Sequence, residues 1–158
     1  MSFSSQSRVW VYQADRPLSE NEAAQMQAML DRFCAEWTAH NHQLKAKAEI
    51  RYQHFIVLMV DESQANATGC SIDKSVHFLQ AIEEKFQVKL FDRMLFAYKE
   101  DDKVEVVSRE QFEDLIRRGA IHAQSTVFNN LVTTKEELDG NWEVPLEKSW
   151  HKGFFQVA

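Results

Sequence analysis

Residues 54–62 have the sequence HFIVLMVDE, which contains the longest unbroken apolar run in the chain, residues 55–60. Six consecutive apolar residues, several of them β-branched, are typical of a strand that is buried on both faces. The segment before it, residues 44–52 (LKAKAEIRY), alternates between polar and apolar side chains, as a half-buried strand does. These two segments predict neighbouring strands that are joined tightly near Tyr52 and Gln53.

Further strand signals lie on both sides of this pair. Residues 8–14 (RVWVYQA) are rich in strand-forming residues and predict a first strand. Residues 93–108 (RMLFAYKEDDKVEVVS) predict a hairpin that turns at residues 100–103. A later segment, residues 126–132 (TVFNNLV), is also typical of a strand.

Apolar residues at three- and four-residue steps predict three amphipathic helices, over about residues 20–39, 72–86 and 109–118. Capping boxes at Ser19 and Ser108 mark the beginnings of the first and the third, because a Glu or Gln follows each serine by three residues. The third helix is expected to stop at Gly119, and a short helix near residues 135–138 is expected to stop at Gly140.

The leading order of elements, β-α-β-β-α-β, matches a ferredoxin-like split βαβ unit. The fold class is therefore predicted as α+β, with a mostly antiparallel sheet and the helices packed on one face. At 158 residues the chain fits a single domain. Its core is expected over about residues 8–118, with a C-terminal strand and helix extension over about residues 119–158.

The composition and charge of the chain indicate which kinds of partner are not expected. The formal net charge is −6, and no cluster of basic residues stands out, so nucleic-acid binding is not expected. The longest apolar run is far shorter than the roughly 20 residues that cross a bilayer, and the first residues lack the apolar core of a signal peptide. The two cysteines do not form a disulfide framework. These features favour a soluble, cytoplasmic protein without a membrane span.

Motif spacing excludes two nucleotide-binding classes and argues against a metal site. The four glycines are too far apart for a P-loop or for G-x-G-x-x-G, so neither an ATPase nor a Rossmann dinucleotide binder is predicted. His40 and His42 fall in an expected turn, and Cys70 and His77 do not complete a ligand set. No metal and no cofactor are expected.

Residues 67–73 (ATGCSID) place Cys70 just before the second helix. One interpretation is structural: Ser71 or Asp73 caps the helix, and Cys70 fills a small buried gap. The alternative is catalytic, because the amides and partial positive charge of a helix N-terminus stabilise a thiolate. The structural interpretation is preferred. Cys34, inside the first helix's apolar stripe, is expected to be a core residue.

A catalytic Cys70 would need a base and an orienting group. His151 is the candidate base, with Asp73 or Asn130 as the group that orients it. His77 would point away from the helix N-terminus, and His54 would serve only if the fold brought it near.

Candidate ligand-binding residues are polar side chains in apolar surroundings, and aromatic residues in the tail. Asn129 and Asn130 interrupt an apolar run, so they either bond the backbone at a bulge or face a polar pocket. The tail aromatics are typical of a ligand site or a protein interface, or of a lid over the core. They are Trp142, Trp150, Phe154 and Phe155. The predicted ligand pocket comprises Ser71, Asn129, Asn130 and Trp150.

The segments GCSID (69–73), VFNNLV (127–132), WEVP (142–145) and SWH (149–151) together resemble a family of small bacterial proteins of similar length. Members of that family are often labelled "ABC transporter ATPase". The resemblance covers most of the chain. It implies no catalytic residue, and the ATPase label conflicts with the absence of a Walker A motif.

Two function hypotheses follow. The first is a non-enzymatic module that binds a small molecule or a protein partner, with a homodimer as one arrangement. The alternative is a cysteine-dependent hydrolase or transferase, in which Cys70 attacks the substrate and the amides of the second helix stabilise an oxyanion.

Overall fold

The structure, a computed structural model, describes residues 2–153. Its regular elements alternate between strands and helices in a way that matches the predicted order closely. In chain order they are β1 (Arg8–Gln13), α1 (Glu20–Glu36), β2 (Thr38–Ala39), β3 (His42–Gln43), β4 (Lys45–Arg51), β5 (Phe55–Asp61), α2 (Gly69–Phe86), β6 (Leu95–Glu100), β7 (Lys103–Ser108), α3 (Arg109–Arg117), β8 (Thr126–Phe128), α4 (Lys135–Asn141) and β9 (Glu143–Pro145). Two 3₁₀ helices follow, Leu146–Lys148 and Trp150–Gly153.

The apolar run 55–60 lies in β5, the central strand of a three-stranded antiparallel sheet with the order β1-β5-β4. Every residue of β5 is buried, which confirms the prediction of a strand covered on both faces. The tight connection to β4 is also confirmed. Tyr52 and Gln53 adopt left-handed backbone angles (φ 53° and 54°), and the His54 amide donates to the Arg51 carbonyl at 3.0 Å.

Helices α1 and α2 pack on one face of this first sheet, around buried residues such as Leu30, Leu79 and Ile56. The capping box of Ser19 and Glu22 is confirmed. Helix α1 ends at Glu36, earlier than the predicted residue 39, because residues 38–43 form the small β2–β3 ribbon.

A second, four-stranded sheet has the order β7-β6-β8-β9 and is antiparallel throughout. One of its faces packs against the first sheet, where Val104 and Phe128 meet Phe55 and Val57. Helix α3 covers the other face through Phe112. The described chain is thus layered as helices, sheet, sheet and helix.

The α+β class and the antiparallel pairing are confirmed, but the ferredoxin-like order is not. In that order β6 would lie beside β1, whereas it pairs with β7 and β8 in the second sheet. The edge of β1 is instead bonded by the segment before α4. The Val9 amide donates to the Thr133 carbonyl at 3.0 Å, and the Lys135 amide donates to the Ser7 carbonyl at 2.8 Å.

The predicted extension contributes to both sheets and to the core between them. Its strands β8 and β9 complete the second sheet, and Trp142 is almost fully buried between the sheets. The predicted strand 126–132 stops at Phe128, because residues 130 and 131 form a turn in which the Leu131 amide donates to the Asn129 side chain at 3.2 Å. The last helix runs to Asn141, so Gly140 lies inside it rather than after it. Across residues 2–153, none of the helices combines the length and the apolar character needed to cross a bilayer.

Candidate functional site

The N-terminus of α2 is capped by Thr68, not by Ser71 or Asp73 as predicted. The Ser71 amide donates to the Thr68 hydroxyl at 3.3 Å, and the Thr68 amide donates to the Ser71 hydroxyl at 2.7 Å, which forms a reciprocal capping box. Ser71 is buried, and its carbonyl accepts the indole N–H of Trp37 at 2.8 Å. Ser71 therefore joins α2 to the end of α1 and does not face a pocket.

Cys70 is exposed, so the prediction that it fills a buried gap is wrong. The second residue of α2 projects outward, because the capping box turns Ser71 inward instead. Asp73, the fifth residue of α2, is exposed as well. Cys34 is buried in the core under α1, as predicted, and burial raises the pKa of its thiol to about 12.

His151 lies in the opposite outer layer of the fold. Its ring stacks on Trp150 with centroids 3.9 Å apart and also contacts Phe96 and Phe112, on the α3 side of the second sheet. The Ser149 hydroxyl bonds its Nδ1, and burial lowers the pKa of His151 to about 4. Both sheets separate this ring from the α2 layer that carries Cys70. The structure therefore does not bring the predicted nucleophile and base together.

The predicted amides have structural partners. Asn130 accepts the indole N–H of Trp142 at 2.9 Å and donates to the Gln13 side-chain carbonyl at 3.0 Å, while Gln13 donates to the Leu95 carbonyl at 3.3 Å. This amide relay joins β1, β6 and the residues after β8. Asn129 bonds the backbone at Leu131 and Asn141, which is the bulge-like role that was one of its two interpretations.

The four predicted pocket residues thus lie in separate places. Ser71 is buried under α2, the two asparagines lie beside Trp142, and Trp150 lies over the α3 side of the second sheet. Of the tail aromatics, Phe154 and Phe155 lie outside the described residues. Trp142 belongs to the core.

A cleft of about 520 Å³ lies where no candidate residue was predicted. Three segments that are far apart in sequence form it: the loop after β1, the β4–β5 turn and the beginning of β7. Its lining residues are Asp15, Arg16, Pro17, Tyr52, Gln53, His54, Asp102, Lys103, Val104, Glu105 and Val106.

His54 is the most informative residue of the cleft, since it is 7% exposed and has one free ring nitrogen. Its Nδ1 lies 3.1 Å from the Tyr52 carbonyl, which can only accept a hydrogen bond. Nδ1 therefore carries the proton, and Nε2 keeps its lone pair. Within residues 2–153, Nε2 has no hydrogen-bond partner, so it can accept a bond from a ligand in the cleft.

The charges at the cleft favour positive ligands. Two cations, Arg16 and Lys103, line the cleft as well. Arg16 forms a two-point ion pair with Glu22, at 2.9 Å for both bonds, and donates to the Phe86 carbonyl at 2.6 Å. The hydrogen bond from Arg16 lowers the pKa of Glu22 to about 2. Asp102 and Glu105 form no ion pair with the described residues. Together with Asp15 they leave the cleft with more negative than positive charge.

Tyr52 fixes the β4–β5 turn against the second sheet. Its hydroxyl donates to Glu143 at 2.7 Å, and the Lys99 ammonium donates to Glu143 at 3.2 Å and to the Tyr52 oxygen at 3.3 Å. Burial raises the pKa of Tyr52, and the hydrogen bond with Glu143 raises it further. These bonds join the β4–β5 turn, at one wall of the cleft, to β6 and β9.

Metal binding finds no support in the described residues. Among residues 2–153, no three His, Cys, Asp or Glu side chains are grouped so that they could hold an ion. The sequence named His54 only as a base for Cys70 that would serve if the fold brought it near, and its remaining signal is its place next to the most apolar strand. That signal is weak, because the other walls of the cleft come from distant segments.

The two cysteines predict a difference in thiol reactivity. In the native protein, Cys70 is expected to react promptly with a disulfide reagent, whereas Cys34 reacts only on unfolding, because it is buried and its pKa is high. Thiol titration with and without denaturant measures this. Cys70→Ala should change the free energy of unfolding by less than about 0.5 kcal/mol. Equal reaction rates for both thiols in the native protein would contradict the assignment.

Comparison with known proteins adds no assignment: no family model, no curated protein and no solved structure matches this chain. The resemblance to the small bacterial family therefore stays a prediction.

Proposed function

We propose that this protein is a non-enzymatic module that binds a small, positively charged molecule in the cleft between the β4–β5 turn and β7. The observation that carries the proposal is the free Nε2 of His54, a side chain more than nine-tenths buried, in a cleft with an acidic rim. Among the described residues the one buried side-chain atom without a partner is Ser7 Oγ, so Nε2 of His54 is open to the cleft, where a ligand N–H can take the place of solvent.

The dimensions of the cleft support a small molecule. A volume of about 520 Å³ lies within the range of roughly 300–1,000 Å³ that is usual for small-molecule sites. The ring of Tyr52 and the side chains of Val104 and Val106 supply apolar contact. The carboxylates of Asp15 and Asp102 would attract an ammonium or guanidinium group, and His54 would accept one of its N–H bonds.

The proposal does not include catalysis, because the predicted nucleophile, Cys70, lies far from the predicted base. Both sheets lie between Cys70 and His151, and no lining residue of the cleft combines a nucleophile with a base in hydrogen-bond contact. Binding alone is what the cleft geometry supports best.

The test compares three probes with the same four-carbon length and different charge: putrescine, succinate and butanediol. Backbone amide NMR shifts are followed while each is added. Putrescine is expected to shift amides of residues 15–16, 52–54 and 102–106, whereas succinate and butanediol should leave them unchanged. Absence of shifts with putrescine, or shifts confined to other surfaces, would refute the proposal.

Charge-neutralising variants provide a matched pair for this test. Asp102→Asn removes one carboxylate from the cleft and should weaken putrescine binding several-fold, because it removes an opposite charge beside the bound ammonium group. Asp73→Asn removes one exposed carboxylate on α2, far from the cleft, and should leave binding unchanged. Equal effects of the two substitutions would indicate nonspecific attraction to an acidic surface.

A further inference from the structure

Of the four edges of the two sheets, three are protected. The β1 edge is bonded by residues 133–135. The β4 edge carries two lysines, and the Gln27 side chain donates to its Ala48 carbonyl at 3.0 Å. The β9 edge is three residues long and includes Pro145. Short strands, lysines, prolines and covering segments are the usual means of preventing edge-to-edge pairing.

The fourth edge, β7, is six residues long and open. Glu100 pairs with Lys103 across a two-residue turn, so Lys103, Glu105 and Val107 bond β6 through their backbone. The amides and carbonyls of Val104 and Val106 therefore point away from the sheet. Among the described residues they have no hydrogen-bond partner. The Ser108 amide, which has the same outward direction, donates to the Gln111 side chain at 2.9 Å, and this closes the edge at the start of α3.

We propose that two copies of this chain associate through this edge, with their β7 strands antiparallel and Val104 opposite Val104 of the partner subunit. This register places Lys103 opposite Glu105 of the partner subunit, and Glu105 opposite the partner's Lys103. Both side chains are exposed, so they can form these pairs. Opposite charges directly across an antiparallel pair stabilise it, whereas like charges destabilise it.

The alternative registers are less favourable. If the symmetry axis passes through Glu105, each Glu105 lies opposite the partner's Glu105, and the two like charges repel. If it passes through Val106, the pairing requires the Ser108 backbone, which the Gln111 side chain already bonds. The self-complementary pattern of Lys103 and Glu105 thus favours a second copy of this chain as the partner at the β7 edge. It also favours the register in which Val104 lies at the symmetry axis.

The dimer would extend the second sheet from four strands to eight and place the partner's β7 beside the cleft. With Val104 at the centre, Val106 lies opposite Asp102 of the partner subunit. Val106 lines the cleft, so a carboxylate from the second copy would come to its rim. The proposed dimer does not depend on ligand binding, and it is tested by the oligomeric state of the protein alone.

Sedimentation velocity over a wide range of concentration tests the proposal. The wild-type chain should show a reversible monomer–dimer equilibrium. K103E and E105K should each weaken association by about tenfold or more, since each creates two like-charged pairs. The double swap K103E/E105K should restore it, because the opposite-charge pairs are rebuilt with the signs exchanged.

A proline variant distinguishes association through the β7 edge from association through other surfaces. Val104→Pro removes an amide that faces away from β6, so the hairpin keeps its own hydrogen bonds while the edge is blocked. This variant should be monomeric with an unchanged circular dichroism spectrum. A wild-type chain that is monomeric at every concentration would overturn the proposal. Association that survives V104P, or that the double swap does not restore, would overturn it equally.

Discussion

Trp142→Ala is expected to lower the free energy of unfolding by about 4 kcal/mol, as usual when a large buried aromatic residue is truncated. Trp142 is 2% exposed, and its ring lies 5.0 Å from the rings of both Phe55 and Phe128, between the two sheets. Its loss leaves a cavity and also removes the N–H that Asn130 accepts. Since domains of this size are stable by roughly 5–15 kcal/mol, the variant should lose between about a quarter and four fifths of the total. Urea denaturation measures the change.

Two further substitutions separate packing from hydrogen bonding. Trp142→Phe keeps an aromatic ring but leaves the Asn130 carbonyl oxygen unsatisfied, so it should cost about 1–3 kcal/mol. Leu131→Ala, at a residue that is 65% exposed, is the control and should change the free energy of unfolding by less than about 0.5 kcal/mol. If Trp142→Ala were as mild as Leu131→Ala, Trp142 would not join the sheets.

Local signals in the sequence predicted most of the elements. The apolar run of β5, the capping boxes at Ser19 and Ser108, and the left-handed stop at Gly119 all act within a few residues. The interactions that produce each of these features lie within one short segment. A predictor needs no knowledge of the remaining chain to place them.

The pairing of distant strands could not be predicted in this way. β6 is compatible with a place beside β1, but residues 133–135 occupy that edge, and β8 pairs with β6 instead. Which of two acceptable partners a strand takes depends on the total packing of both sheets. A pattern of apolar residues within one segment does not contain that information.

The candidate site was missed for the same reason. Each wall of the cleft is an ordinary loop or strand end, and only the fold brings Asp15, His54 and Asp102 together. Asn129, Asn130 and Trp142 were considered as ligand-site residues because they are polar side chains in an apolar run and an aromatic side chain in the tail. They proved to be partners of one another.

His151 is expected to make the protein sensitive to mild acid. Burial lowers its folded pKa to about 4, below the unfolded value of 6.5, so the unfolded chain takes up the proton first as pH falls. The stability that the neutral ring contributes is therefore complete above about pH 6.5 and is lost progressively as pH falls toward 4. The total loss is on the order of 3 kcal/mol, since one pKa unit corresponds to about 1.4 kcal/mol. Urea denaturation at a series of pH values measures it.

The difference between wild type and His151→Gln isolates this contribution, because carboxylates with lowered pKa values, such as Glu22 and Glu137, affect both proteins alike and only below about pH 4.5. Between pH 6.5 and 5, wild-type stability should fall while that of His151→Gln stays nearly level. His77→Gln, which removes an exposed histidine, should retain the wild-type slope. If His151→Gln showed the same slope as wild type in this range, His151 would be charged in the folded protein. Its packing between Trp150 and Phe112 would then have to admit water or an unrecognised anion.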